Sequence, residues 1–151
     1  MRLAPPRDLA DPAWLSMRCS LWPETSAGEH LGDMADVLAR GHRVLLAQDE
    51  SGAALGFIEA SIRNDYVNGT ESSPVAFIEG LYVEPPHRRR GVARALVAEI
   101  AAWGSAFGCS ELASDSAIGN VDAHALHCAL GFVETERVVC FCMQLNGDQG
   151  A

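Results

Sequence analysis

The residues best equipped for chemistry lie in Phe77-Ile-Glu-Gly-Leu-Tyr-Val-Glu-Pro-Pro-His-Arg-Arg-Arg-Gly-Val-Ala-Arg94. Arg88, Arg89, Arg90 and Arg94 cluster there in an otherwise acidic chain. The pattern Arg88-x-x-Gly91-x-Ala93 opens a segment whose apolar residues, Val92, Leu96, Val97, Ile100 and Trp103, recur at helical spacing. A helix start offers unpaired N–H groups at the positive end of its dipole. Gly91 and Ala93 are small enough to let an anion approach that backbone, and the arginines add charge around it. Such a site suits a pyrophosphate.

The elements that must position these residues follow from the flanking pattern. Val75, Ala76, Phe77, Ile78, Leu81, Tyr82 and Val83 form an apolar, β-favouring run, which Pro85 and Pro86 end. Upstream, residues 1–5 read as a short edge strand. Asp11-Pro12 caps a helix running to about Leu21. Ser26 with Glu29 is a capping box for a second helix, with Leu31, Met34, Val37 and Leu38 inward and Gly41 at its end. Val44 to Ala47 and Leu55 to Ile62 read as paired strands around the turn Asp49-Glu-Ser-Gly52. Asn64 to Pro74 is a polar loop in which Tyr66 stands out. Glu111 to Asp115 is a strand with a polar end, and Asn120 to Leu130 is a helix closed by Gly131. Phe132 to Leu145 holds two strand-like halves around Glu134-Thr-Glu136, and the tail from Asn146 reads as frayed. The order is β-α-α-β-β-β-α-β-α-β-β, with no repeat or linker.

A chain of 151 residues, 48% of them hydrophobic, predicts one domain over residues 1–151 with one core. The net charge of −9, from 11 basic and 20 acidic residues, argues against a nucleic-acid partner. It suits a cationic small substrate. No apolar stretch reaches membrane-span length, and Met1-Arg-Leu-Ala-Pro-Pro lacks a signal-peptide core. A cytoplasmic protein without a membrane partner is therefore expected. Cys19, Cys109, Cys128, Cys140 and Cys142 include no Cys-x-x-Cys pair. They predict buried thiols rather than a metal site or a disulfide framework.

With Gly131-Phe132 further along the chain, the strand, basic turn and helix resemble the acetyl-coenzyme A site of the GNAT superfamily of N-acetyltransferases. The resemblance covers essentially the whole chain. It implies an α+β (mixed α/β) fold: a mixed, mostly antiparallel sheet, splayed between strands 4 and 5 and flanked by about four helices, with acetyl-coenzyme A as cosubstrate in the gap. Longer words resemble one branch, the aminoglycoside N-acetyltransferases acting on the 6'-amino group. They are Leu21-Trp-Pro23, Ala60-Ser-Ile-Arg-Asn-Asp-Tyr-Val-Asn-Gly69, Ser72-Ser-Pro-Val75, Glu79-Gly-Leu-Tyr-Val83, Ala113-Ser-Asp115 and Ala129-Leu-Gly-Phe-Val-Glu-Thr-Glu-Arg137. The implied activity is direct acetyl transfer in a ternary complex to a polycationic antibiotic, by an enzyme that commonly forms a homodimer. An N-acetyltransferase for a polyamine or a protein N-terminus, and a non-catalytic acetyl-coenzyme A module, are the alternatives.

By that resemblance Trp22, Tyr66, Glu79, Asp115 and Glu136 line the acceptor site, and Thr25 stands where some relatives place a substrate-contacting His. Leu81, Tyr82 and Val83 hold the pantetheine arm through their backbone, with amides there facing the oxyanion. The amides from Arg89 through Arg90, Gly91, Val92 and Ala93 to Arg94 take the phosphates, and Asn120 contacts coenzyme A. Acetyl transfer needs a neutral amine, and carboxylates that bind an ammonium oppose its deprotonation. Glu79 is the candidate proton acceptor, directly or through water, or else an ion-pairing residue. His127 stands where the family often has a Tyr, and either protonates the leaving thiolate or packs beside the cofactor. No metal is called for.

Overall fold

The computed structural model describes residues 1–146. Residues Met1–Asp115 form one compact unit and the chain from Ser116 forms a second.

The first unit holds β1 (Arg2–Ala4), α1 (Pro12–Leu21), α2 (Ala27–Ala39), β2 (Arg43–Gln48), β3 (Ala54–Arg63), β4 (Val75–Val83), a 3-10 turn at Pro85–His87, α3 (Val92–Ala106) and β5 (Leu112–Ala113). Asp11 caps α1 by accepting from the N–H groups of Ala13 and Trp14, with Pro12 at the first helical position. The Ser26 hydroxyl accepts from the Glu29 N–H and donates to the Glu29 carboxylate, each at 3.1 Å.

The sheet runs β1-β2-β3-β4-β5, antiparallel except for β4–β5. β5 meets β4 only at Ala76 and Phe77. From Ile78 to Val83, β4 has β3 on one side and, among the described residues, no strand on the other. This is the splay. Trp14, Met17, Met34, Val44, Leu46 and Phe57 form a core between the first two helices and the sheet. α3 packs against β3 and β4, burying Leu96 and Ile100.

In the second unit, α4 (Val121–Ala129) is capped by the Asn120 side chain, which accepts from Ala123 N–H at 3.2 Å. Gly131 follows in the left-handed region, with φ 97°.

Three expectations are corrected. Residues 132–145 belong to no strand. Strand propensity expresses itself only against a ladder partner, and here Val133, Val139, Phe141, Met143 and Leu145 stand exposed. Leu31 does not face inward; His30 takes that place, 1% exposed, because buried Arg18 and the carbonyl of half-buried Trp22 hold its ring. The thiols are not buried: Cys19 and Cys109 are half-buried, and Cys128, Cys140 and Cys142 are exposed. Most of the expected frayed tail lies outside the described residues.

Candidate active site

The bend that presents Glu79 is a β-bulge. Ala60 lies opposite Ile78 and Glu59 opposite Gly80, so Glu79 is the surplus residue. A bulge re-aims one side chain out of the alternation of its strand. Glu79 therefore meets the polar stripe Glu59, Ser61 and Arg63, spaced two apart on β3. The Ser61 hydroxyl donates to Glu79 Oε1 at 2.6 Å. Arg63 donates from Nε to Oε1 at 3.2 Å, and from Nη2 to Oε1 and Oε2 at 2.9 Å each. Oε1 thus carries three donors and Oε2 one, so a further ligand meets Glu79 on Oε2.

These groups line a cleft of about 610 Å³ together with Trp22 from the end of α1 and Asp33 and Asp36 from α2. Trp22 is fixed on several sides. The Arg18 guanidinium lies 4.7 Å above its ring, His30 stacks on it and Phe57 meets it edge-on. Its rim passes over Gly80, where a Cβ would come within 2.5 Å of Trp22 Cη2 and 2.9 Å of Cζ2. That approach explains the glycine beside Glu79. His30 Nδ1 accepts from Arg18 Nε at 3.2 Å, and arginine has no acceptor to offer. His30 Nε2 therefore carries the proton and donates to the Trp22 carbonyl at 3.1 Å. Arg18 also pairs with buried Glu59, which accepts from Trp14 Nε1 at 2.8 Å.

The anion-binding candidates gather at the start of α3. Gly91 is the N-cap of α3 at φ 84°, and no side chain caps the helix. A Cβ there would meet no protein atom, and the positive φ by itself favours glycine. Arg89 also takes a positive φ, 61°. Arg89, Arg90 and Arg94 are exposed around this turn, followed by Val92 and Ala93 in the first helical turn. Arg88 is otherwise engaged: its Nε donates to the Val83 carbonyl at 2.8 Å and it lies over Tyr82. Leu81, Tyr82 and Val83 pair with Ile58, Phe57 and Gly56 on one side. Alternate backbone groups of β4 face the other side, along the splay.

Tyr66 and Asp115 do not line the cleft; both are exposed, Tyr66 at 75%. The Tyr66 loop is tethered by Glu111, which accepts from the Glu71 N–H at 2.9 Å and from the Ser72 hydroxyl. Those bonds, the hydroxyl's first, hold its carboxyl below the usual range. Thr25 sits in the α1–α2 turn, its N–H donating to the Trp22 carbonyl at 3.2 Å. In the second unit, His127 Nδ1 donates to the Ala123 carbonyl at 2.6 Å and the ring meets Phe132 edge-on. With Nδ1 engaged as donor, proton donation from Nε2 requires the imidazolium. Glu136 is exposed, beside the Glu134–Arg137 pair.

The acetyltransferase (GNAT) family profile matches residues 9–132. The chain belongs to the GNAT acetyltransferase family. Among curated relatives, aminoglycoside N(6')-acetyltransferase type 1 of Acinetobacter baumannii is 50% identical over 85% of this chain and 88% of its own length. The protein of the same name from Acinetobacter haemolyticus is 44% identical over 97% and 100%. The crystal structure of the ligand-free aminoglycoside 6'-N-acetyltransferase from Acinetobacter haemolyticus superposes with a TM-score of 0.91, at 44% identity over 97% of this chain and 100% of that one. A GNAT relative solved with a bisubstrate analogue, CoA-S-monomethyl-acetylneamine, gives 0.85 at 42% identity over 95% and 96%. In this GNAT chain, sequence reasoning missed Ser61, Arg63, Asp33 and Asp36. The period-two polar stripe within apolar β3 was the signal for the first two.

Proposed function

We propose that this protein is an aminoglycoside 6'-N-acetyltransferase that uses acetyl-coenzyme A as cosubstrate. The observation that carries the reading is the cleft in which Trp22, Glu79, Asp33 and Asp36 give a cation an aromatic wall and carboxylates. The curated relatives of that name support it, as does the neighbour bound to a coenzyme A–aminoglycoside conjugate. Residues 1–151 act as one catalytic domain, since the family profile crosses both units.

The uncapped start of α3, with Gly91, Ala93 and the exposed Arg89, Arg90 and Arg94, fits the pyrophosphate of coenzyme A. Leu81, Tyr82 and Val83 bind the pantetheine arm along the splay, and Asn120 adds a contact. Acetyl-coenzyme A supplies a thioester. The 6'-nitrogen forms a bond to its carbonyl carbon as the C–S bond breaks. An ammonium becoming an amide loses two protons: one leaves before attack and one goes to the thiolate, so one is released overall. Glu79 orients the ammonium from Oε2 and accepts the first proton. Backbone N–H groups at Leu81 to Val83 face the oxyanion. Trp22 walls the cleft, while Thr25, Tyr66, Asp115 and Glu136, which do not line it, are assigned to the remainder of the antibiotic, and His127 as imidazolium protonates the thiolate.

The experiment is a thiol-release assay with an amine panel, followed by NMR of the product. Tobramycin and kanamycin A should be acetylated at the 6'-nitrogen, and an analogue with a 6'-hydroxyl should be a poor substrate. Acetyl on another ring nitrogen, or preference for a polyamine, refutes the reading.

The reading places the enzyme in the cytoplasm, where acetyl-coenzyme A is made; among the described residues no helix is long and apolar enough to cross a membrane. The exposed apolar run from Val133 to Leu145, with Phe141 93% and Leu145 90% exposed, supports a homodimer in which a second copy covers it. Light scattering should give twice the chain mass, and Phe141→Glu should give the monomer.

A further inference from the structure

A polycation directed to Glu79 meets a carboxylate whose charge is already answered. The Arg63 fork holds both oxygens, and the same guanidinium lies 3.6 Å above the Phe77 ring, which fixes it in place. Nothing in the site reading calls for this cation, since a second positive charge repels an ammonium. We propose that Arg63 is a built-in counter-ion of Glu79, which weakens the hold of the cleft on the acceptor ammonium and so eases loss of its proton. The inference rests on the reading of Glu79 as an acceptor-site residue.

A bare carboxylate within ion-pair reach stabilises an ammonium and opposes the neutral amine that must attack. With Arg63 in place, Oε2 still accepts a hydrogen bond and orients the nitrogen, but the pair is close to neutral. The Phe77 ring beneath the guanidinium keeps this cation at the carboxylate, so the compensation is built into the fold. The other charges on the cleft do not replace it. Arg18 is taken by Glu59 and Asp33, and on α2 Arg40 accompanies Asp33 and Asp36. The balance at Glu79 therefore falls to Arg63.

The test compares Arg63→Met, Arg63→Gln and Arg63→Lys with the parent. Tobramycin affinity is read by calorimetry with coenzyme A bound, and the single-turnover rate at saturating substrates near neutral pH. Both neutral variants should bind tobramycin at least tenfold more tightly, about 1.4 kcal/mol, and acetylate it more slowly. Arg63→Lys restores the charge without the fork, so it should fall between the parent and the neutral variants on both. A merely structural role for Arg63 predicts looser binding, so the sign separates the two. Unchanged or weaker binding by the folded neutral variants overturns the inference. Glu79→Gln in the same series isolates the underlying reading. If it leaves tobramycin affinity unaltered, Glu79 is outside the acceptor site and both ideas fall. If it weakens binding while neither neutral variant tightens it, the counter-ion inference alone falls.

Discussion

Glu79→Gln is expected to slow single-turnover acetylation by roughly 10²-fold near neutral pH, within the usual range for loss of a general base. Glutamine keeps the length of the side chain, and its oxygen still accepts from Ser61. It cannot take a proton, and its NH₂ presents donors to the Arg63 fork where Oε2 accepted one. Glu79 is partly exposed, with 29% of its side chain reached by solvent, so the fold should survive. The defect should shrink as pH rises, because an amine already neutral in solution needs no acceptor for its first proton. Rapid-quench measurements at saturating substrates across pH check this. A raised KM with an unchanged rate would make Glu79 a binding residue only.

Arg18→Met should cost about 3–5 kcal/mol of unfolding free energy, as expected when one partner of a buried ion pair is removed. Glu59 is 2% exposed, and without Arg18 the Trp14 indole N–H is, among the described residues, the one donor left to answer its charge. The same change removes the cation above Trp22 and the donor that sets the His30 tautomer. Total stability for a domain of this kind is about 5–15 kcal/mol, so the loss threatens folding itself. Urea unfolding of the single variant and of Arg18→Met/Glu59→Leu gives the decisive comparison. The double variant should recover much of the loss, because no charge is stranded. A single variant within about 1 kcal/mol of the parent would show that the pair behaves as if at the surface.

Local signals carried the helices and the central sheet. Asp11-Pro12 and the Ser26/Glu29 box mark the starts of α1 and α2, and the apolar run to Val83 marks β4. The helix start at Gly91 was legible for the same reason, as its conformation is a property of one residue and its neighbours. What escaped depends on distant partners. Nothing near Glu79 in sequence announces a bulge, which exists only in the register between β3 and β4. His30 is polar within an apolar stripe, and its burial follows from Arg18, twelve residues earlier. Val138, Val139 and Phe141 have strand chemistry but no strand, because β structure belongs to a pair.

The bulge at Glu79 means that the sheet and the chemistry ask different things of β4. Ile78 and Gly80 already face consecutive β3 residues, so a chain lacking Glu79 would join them into an unbroken ladder without shifting any other pair. The residue assigned to the reaction is the one the architecture can spare. A chain shortened by this one residue should therefore keep its ladder and lose the carboxylate that Ser61 and Arg63 hold at the mouth of the cleft.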